Sequence, residues 1–179
     1  MGGSDRSTGG YDRAGISGFV VILGLNCMTQ DIAAESVAEE ILYLTGKAIL
    51  ENDDSIFISC VALPLLMETI NGQRVFVSDQ EIRQSLAGVR QYMKDNGFVD
   101  FVRTVVSSEF LDEGTIGSTH VCQMLHRDGT AERAPFPVYS IFRRYGGSWK
   151  MTSCIYAILD SPEHNNALLP GRLLGEKTT

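Results

Sequence analysis

Apolar residues along this 179-residue chain change their spacing partway through. Beyond residue 30 they recur every three or four positions, at Val37, Ile41, Leu44 and Ala48, which is the stripe of an amphipathic helix. Thr29 or Asp31 can cap its start, and Asn52-Asp53-Asp54 ends it. "SIFISCVAL" reads as a second, shorter and more buried helix, closed by Pro64 because the residue before a proline is pushed out of the α region. Residues 65–70 and 73–77 then flank Asn71-Gly72, a pair that accepts positive φ and predicts a hairpin. With that two-residue turn, Glu68 faces Val75 and Met67 faces Phe76. Ser78-x-x-Glu81 is a capping box. It opens a third helix carrying Ile82, Leu86, Val89 and Met93 on one stripe, and Gly97 stops it.

After Gly97 the period falls to two. "VDFVRTVVSSEFL", "IGSTHVCQML", "PVYSIFRRY" and "SWKMTSCIYAIL" are four strand-like runs. The segments between them, Asp112-Glu113-Gly114, Arg127-Asp128-Gly129 and Tyr145-Gly146-Gly147, carry turn chemistry. The order is helix, helix, hairpin, helix, then a meander, which defines an α+β fold. Three N-terminal helices are expected to pack against a strongly curved antiparallel or mixed sheet, a cone-shaped half-barrel able to enclose a cavity. Residues 29–160 form that domain. Residues 1–28, Gly/Ser-rich and then briefly apolar, read as a disordered or irregular extension, or as an upstream start ahead of Met28. Residues 161–179 read as a loose tail.

Composition narrows the function classes. A hydrophobic fraction of 44% with 21% charged residues is ordinary for a globular domain. The net charge of −7 and the lack of a basic stripe exclude a nucleic-acid backbone as partner. The apolar burst ahead of Met28 is shorter than the roughly 20 residues a membrane span needs, so no membrane partner is expected. Cys27, Cys60, Cys122 and Cys154 are scattered, and His120, His126 and His164 add no metal-ligand spacing. Free thiols in a reducing, cytoplasmic setting follow, with no metal and no cofactor.

Particular stretches carry a resemblance: the acidic "NDD", "FISCVALP" leading into the first strand, "INGQRVFVSDQEI" opening the third helix, and "YSIFRRYGGSWKM" with "IYAIL" as a closing hairpin. Over residues 30–159 the chain resembles the nuclear transport factor 2-like superfamily, whose bacterial members include SnoaL-like cyclases and ketosteroid isomerases. The resemblance implies a small-molecule pocket and homodimerisation through the outer face of the sheet. It also implies where an isomerase would keep its two acids, and those positions hold Thr69 and Ser140. Tyr43 lies about two positions from the expected first-helix tyrosine. The isomerase mechanism is therefore not supported.

Chemistry must come from elsewhere. Glu68 neighbours Thr69, and a one-residue step in a strand reverses the face, so Glu68 is expected to point outward. His120 shares a strand face with Ile116, Ser118, Cys122 and Met124. The first reading is a domain that binds a small apolar ligand, with Leu65, Met67, Phe76 and Phe142 as walls and Thr69, His120 and Ser140 as polar points. The rival is a general acid/base enzyme (isomerase, cyclase, dehydratase or hydrolase) acting on a small carbonyl substrate. There His120 would carry the proton and Glu109 or Glu68 would orient it. A third reading, a protein-interaction module, would use the open sheet face.

Overall fold

The structure, a computed structural model, describes residues 16–131, 133–159 and 161–170, with side chains from residue 34 onward. Among the described residues, four helices and one six-stranded sheet make up the fold. The elements run α1 (Ile16–Glu51), α2 (Asp54–Cys60), β1 (Val61–Thr69), β2 (Gly72–Phe76), α3 (Asp79–Asp95), β3 (Phe98–Asp112), β4 (Thr115–His126), β5 (Phe136–Tyr145), β6 (Ser148–Tyr156) and α4 (Pro162–Leu168). The sheet order is β2-β1-β6-β5-β4-β3. Every pairing is antiparallel except β1 with β6, which makes the sheet mixed.

The acidic triplet after α1 divides its work. Asn52 takes the left-handed conformation, with φ of 59°. Asp53 caps α2, accepting from the Ser55 and Ile56 amides. Asp54 holds Arg90 at 2.7 Å and Arg83 at 3.3 Å. Arg90 also donates to the carbonyls of Ala48 and Ile49 in the last turn of α1, the first of which accepts from the Asp53 amide as well. The α3 capping box forms as expected, and Ile82, Leu86, Val89 and Met93 are all buried.

Several expectations need correcting. α1 opens at Ile16 instead of near Thr29 or Asp31, so residues 16–28 are helical, while residues 1–15 lie outside the described residues. Its buried face is also rotated: Ala34, Ala38, Ile41, Leu42, Thr45, Ala48 and Ile49 are buried, and Val37 and Leu44 only partly. Pro64 does not end a helix. It lies inside β1, after a cis peptide bond, where the register with β6 shifts between Val61 and Leu66; an irregularity is where a strand accommodates a residue lacking N–H. In the hairpin, Thr69 pairs with Gly72 and Leu65 with Phe76, so the loop is Ile70-Asn71. The slip is two residues, which preserves the face. The expected tail is partly ordered: α4 buries His164, Asn165 and Leu168, while residues 171–179 lie outside the described set.

Candidate functional site

The strand registers set out the concave face of the sheet row by row. Ser108, Ser118, Ser140, Cys154 and Met67 lie across it in one row; Val105, His120, Val138, Tyr156 and Thr69 form the next; Arg103 and Cys122 begin a third. Hydroxyls and thiols satisfy one another there. Ser108 donates to Ser118 at 2.8 Å, and Ser140 Oγ lies 3.4 Å from Cys154 Sγ. Burial pushes the Cys122 thiol up to about 12 and the Cys154 thiol up to about 11, so both are neutral and poor nucleophiles.

All seven expected ligand-binding residues, Leu65, Met67, Thr69, Phe76, His120, Ser140 and Phe142, are buried. Only Met67 among them borders the hollow that remains between helices and sheet; the other six are packed into the core. The hollow amounts to about 30 Å³ and is bordered by Ile82, Leu86 and Val89 of α3, Met124 and Met151 of the sheet, and His164 and Leu168 of α4. A hollow of that size has room for water-sized occupants only.

The candidate acids do not meet the candidate histidine. Glu68 pairs with Ile155 and Glu109 with Gly117, in rows that lie on the convex face. His120 is 2% exposed, and its Nδ1 has no hydrogen-bond partner. Burial, reinforced by the Arg103 charge, pulls its pKa from 6.5 to about 3. It is a neutral imidazole across the physiological range. Glu109 as its orienting partner is thus overturned by strand register, and Glu68 likewise. Among the described residues no Asp or Glu is buried, and no cluster of His, Cys, Asp and Glu could hold a metal ion.

Two residues with a place in this region escaped the sequence reading. His164 of α4 is stacked on Tyr92 at 4.8 Å between centroids and meets Phe136 edge-on at 5.3 Å. No periodicity announced it, because α4 is only 7 residues long. Arg103 points to the concave side, its guanidinium 5.0 Å above the Phe101 ring and its Nη2 donating to the Leu42 carbonyl of α1. The available signal was its phase: in a period-two strand it shares a face with Phe101 and Val105.

No protein-family model and no curated protein matches the chain. Solved structures do. An NTF2-like protein with a cystatin-like fold from Novosphingobium aromaticivorans is 14% identical with a TM-score of 0.54, covering 89% of this chain and 100% of its own. A hexachlorocyclohexane dehydrochlorinase, LinA-type3, from Novosphingobium barchaimii is 10% identical with a TM-score of 0.55, covering 72% of this chain and 88% of its own. A cystatin-like-fold protein of unknown function from Nostoc punctiforme is 12% identical, also at 0.55, covering 70% and 90%. The fold is therefore that of the nuclear transport factor 2-like superfamily, a fold that carries both enzymes and proteins without known activity. Among the described residues no helix is long and apolar enough to cross a membrane.

Proposed function

We propose that the chain is a small-molecule-binding domain whose ligand occupies the interior of the cone, and that it works without acid/base catalysis. One observation carries this reading: no carboxylate is buried among the described residues. Proton transfer at a carbonyl substrate needs a base of suitable pKa within hydrogen-bond reach. The concave face offers His120, far too weak a base at a pKa of about 3, beside hydroxyls, neutral thiols and hydrocarbon. The hollow's lining includes three methionines, Met67, Met124 and Met151, whose flexible side chains can reshape to admit a guest.

Native mass spectrometry of the purified chain tests the reading. It should carry a non-covalent small-molecule adduct that is lost on denaturation. Adduct-free protein, with methionine methyl resonances that ignore a panel of small apolar carbonyl and carboxyl compounds, would overturn it. Turnover abolished by His120→Gln in a folded variant would reinstate the enzyme reading.

A homodimer through the convex sheet face completes the proposal. Val102, Tyr139 and Ile155 stand on that face at 40%, 37% and 41% exposure, apolar surface that a second copy would cover. Light scattering over a concentration series should report twice the monomer mass, and a monomer throughout defeats this part. A cytoplasmic location is part of the same reading, supported by the free thiols of Cys60, Cys122 and Cys154.

A further inference from the structure

Arg103 occupies the boundary between two spaces. Outside it lies an open groove of about 620 Å³ between α1 and β3, walled by Leu42, Tyr43, Leu50, Thr104 and Val105. Inside it lies the hollow of the cone. Arg103 and its neighbour Phe101 border both, so the guanidinium stands where the groove would open into the interior.

Among the described residues that guanidinium has no ion-pair partner: the ion pairs are Lys47–Glu51, Arg74–Glu81, Arg83–Asp54 and Arg90–Asp54, and Arg103 joins none of them. Its one protein hydrogen bond runs from Nη2 to the Leu42 carbonyl, which leaves most of its donor fork unused. Cys122, its cross-strand partner, and Tyr156, which borders the hollow with it, offer no counter-charge there, since burial holds both neutral. Room has been made for it. A Cβ at Gly46 of α1 would stand 2.6 Å from Nη2, and glycine in a helix interior costs about 1 kcal/mol relative to alanine. Arg103 borders the open groove, and none of its nitrogens is among the buried, unpartnered polar atoms of the described residues; its free donors are therefore accessible from the groove, where the fork matches a carboxylate in two-point geometry.

We infer that the hollow takes an amphipathic monocarboxylic acid, its carboxylate on Arg103 at the floor of the α1–β3 groove and its hydrocarbon tail among Met67, Met124 and Met151. This deepens the binding reading above and rests on it. Among the described residues, Glu39, Glu51 and Asp100 border the groove, with Lys47 as the other cation. With one carboxylate on Arg103 and the tail among the methionines, a diacid of the same length would leave its second carboxylate unpaired in hydrocarbon and is excluded. The hollow of about 30 Å³ has to enlarge for the tail to enter, and the three methionines are flexible side chains on its wall that can repack.

The test uses the full chain with methyl-labelled methionine, titrated with octanoate, 1-octanol and suberate by calorimetry and by methyl NMR. Octanoate should bind roughly ten-fold or more tightly than 1-octanol, as a charge-assisted two-point contact requires, and should shift the methyls of Met67, Met124 and Met151; suberate should not bind. Arg103→Gln should bring octanoate binding down to the level of 1-octanol. If octanoate and 1-octanol bind equally and both shift those methyls, the binding reading stands and the carboxylate assignment falls. If neither shifts them, both fall. Should Arg103→Gln fail to fold, the octanoate-to-1-octanol ratio of the unaltered chain decides, a ratio near one overturning the inference.

Discussion

Glu109 and His120 stand back to back across the sheet. Glu109 pairs with Gly117 in a convex row that continues through Ile141 to Ser153, whereas His120 pairs with Val138 on the concave side. A strand places alternate residues on opposite faces, and Gly117 and His120 are an odd number of positions apart on β4. No rotamer change brings the carboxylate to the imidazole. Glu109→Gln, alone or with Glu68→Gln, should therefore leave stability within about 0.5 kcal/mol, as solvent-facing substitutions do. Urea denaturation checks this, and a shared loss above about 2 kcal/mol would mean that the pair is coupled to something buried.

The two buried histidines make a pH prediction. His120 and His164 have folded-state pKa values of about 3 and about 4, both depressed first of all by burial. Each is below the ordinary 6.5, so the unfolded chain binds more protons. The stability associated with the neutral imidazoles is complete above pH 6.5 and is lost as pH falls toward the folded values. At pH 5 the loss is about 2 kcal/mol for each histidine. The urea midpoint should fall between pH 7 and 5, above the range where Glu81, Asp112 and Asp128, with their lowered pKa values, begin to protonate. A folded His120→Gln variant should show roughly half the slope. An unchanged slope would mean that His120 is solvated.

The α3 cap is a local test. Ser78 Oγ accepts from the Glu81 amide, and the Glu81 carboxylate returns to the Val77 and Ser78 amides while pairing with Arg74 at 3.0 Å. Ser78→Ala should cost about 1 kcal/mol, read as a lower urea midpoint with an unchanged m-value. A change in m would show that more than the cap had moved.

Legibility in the sequence followed the range of the forces. α3 was readable in full because its cap, its stripe and its terminal Gly97, at φ of 71°, are all signals within a few residues of the structure they specify. The shared face of Ile116, Ser118, His120, Cys122 and Met124 on β4 was readable because a strand places every second residue on one side, and all five are buried. The hairpin register was missed because Asn71-Gly72 is a strong local signal, while the observed pairing sets Leu65 against Phe76 within the core. Pro64 was misread because the local rule against helix continuation says nothing about an irregular strand. The hollow's small volume was not legible at all, since it depends on how α4 returns to α3. Arg103 was legible in phase but not in burial: no sequence rule places a charge beneath a helix 61 residues away.

That return of α4 yields a last prediction. Ser85 of α3 donates to the Leu168 carbonyl at 2.9 Å, Asn165 donates to the Ile158 carbonyl at 3.1 Å, and Leu168 is 6% exposed. Between the two helices lies Gly88, where an added Cβ would come 2.9 Å from the Ala167 carbonyl oxygen. Two effects then oppose each other in Gly88→Ala. Helix propensity favours alanine by about 1 kcal/mol, but the clash is with backbone, which cannot rotate aside, and overpacking of this kind costs about 1–3 kcal/mol. The close approach should prevail, giving a net loss of about 1 kcal/mol. The loss should be uneven: amide exchange should accelerate in residues 162–168 as α4 lifts, while the amides of α3 itself, relieved of a glycine, exchange no faster. Acceleration shared equally by both helices would mean that α3 and α4 open as one unit.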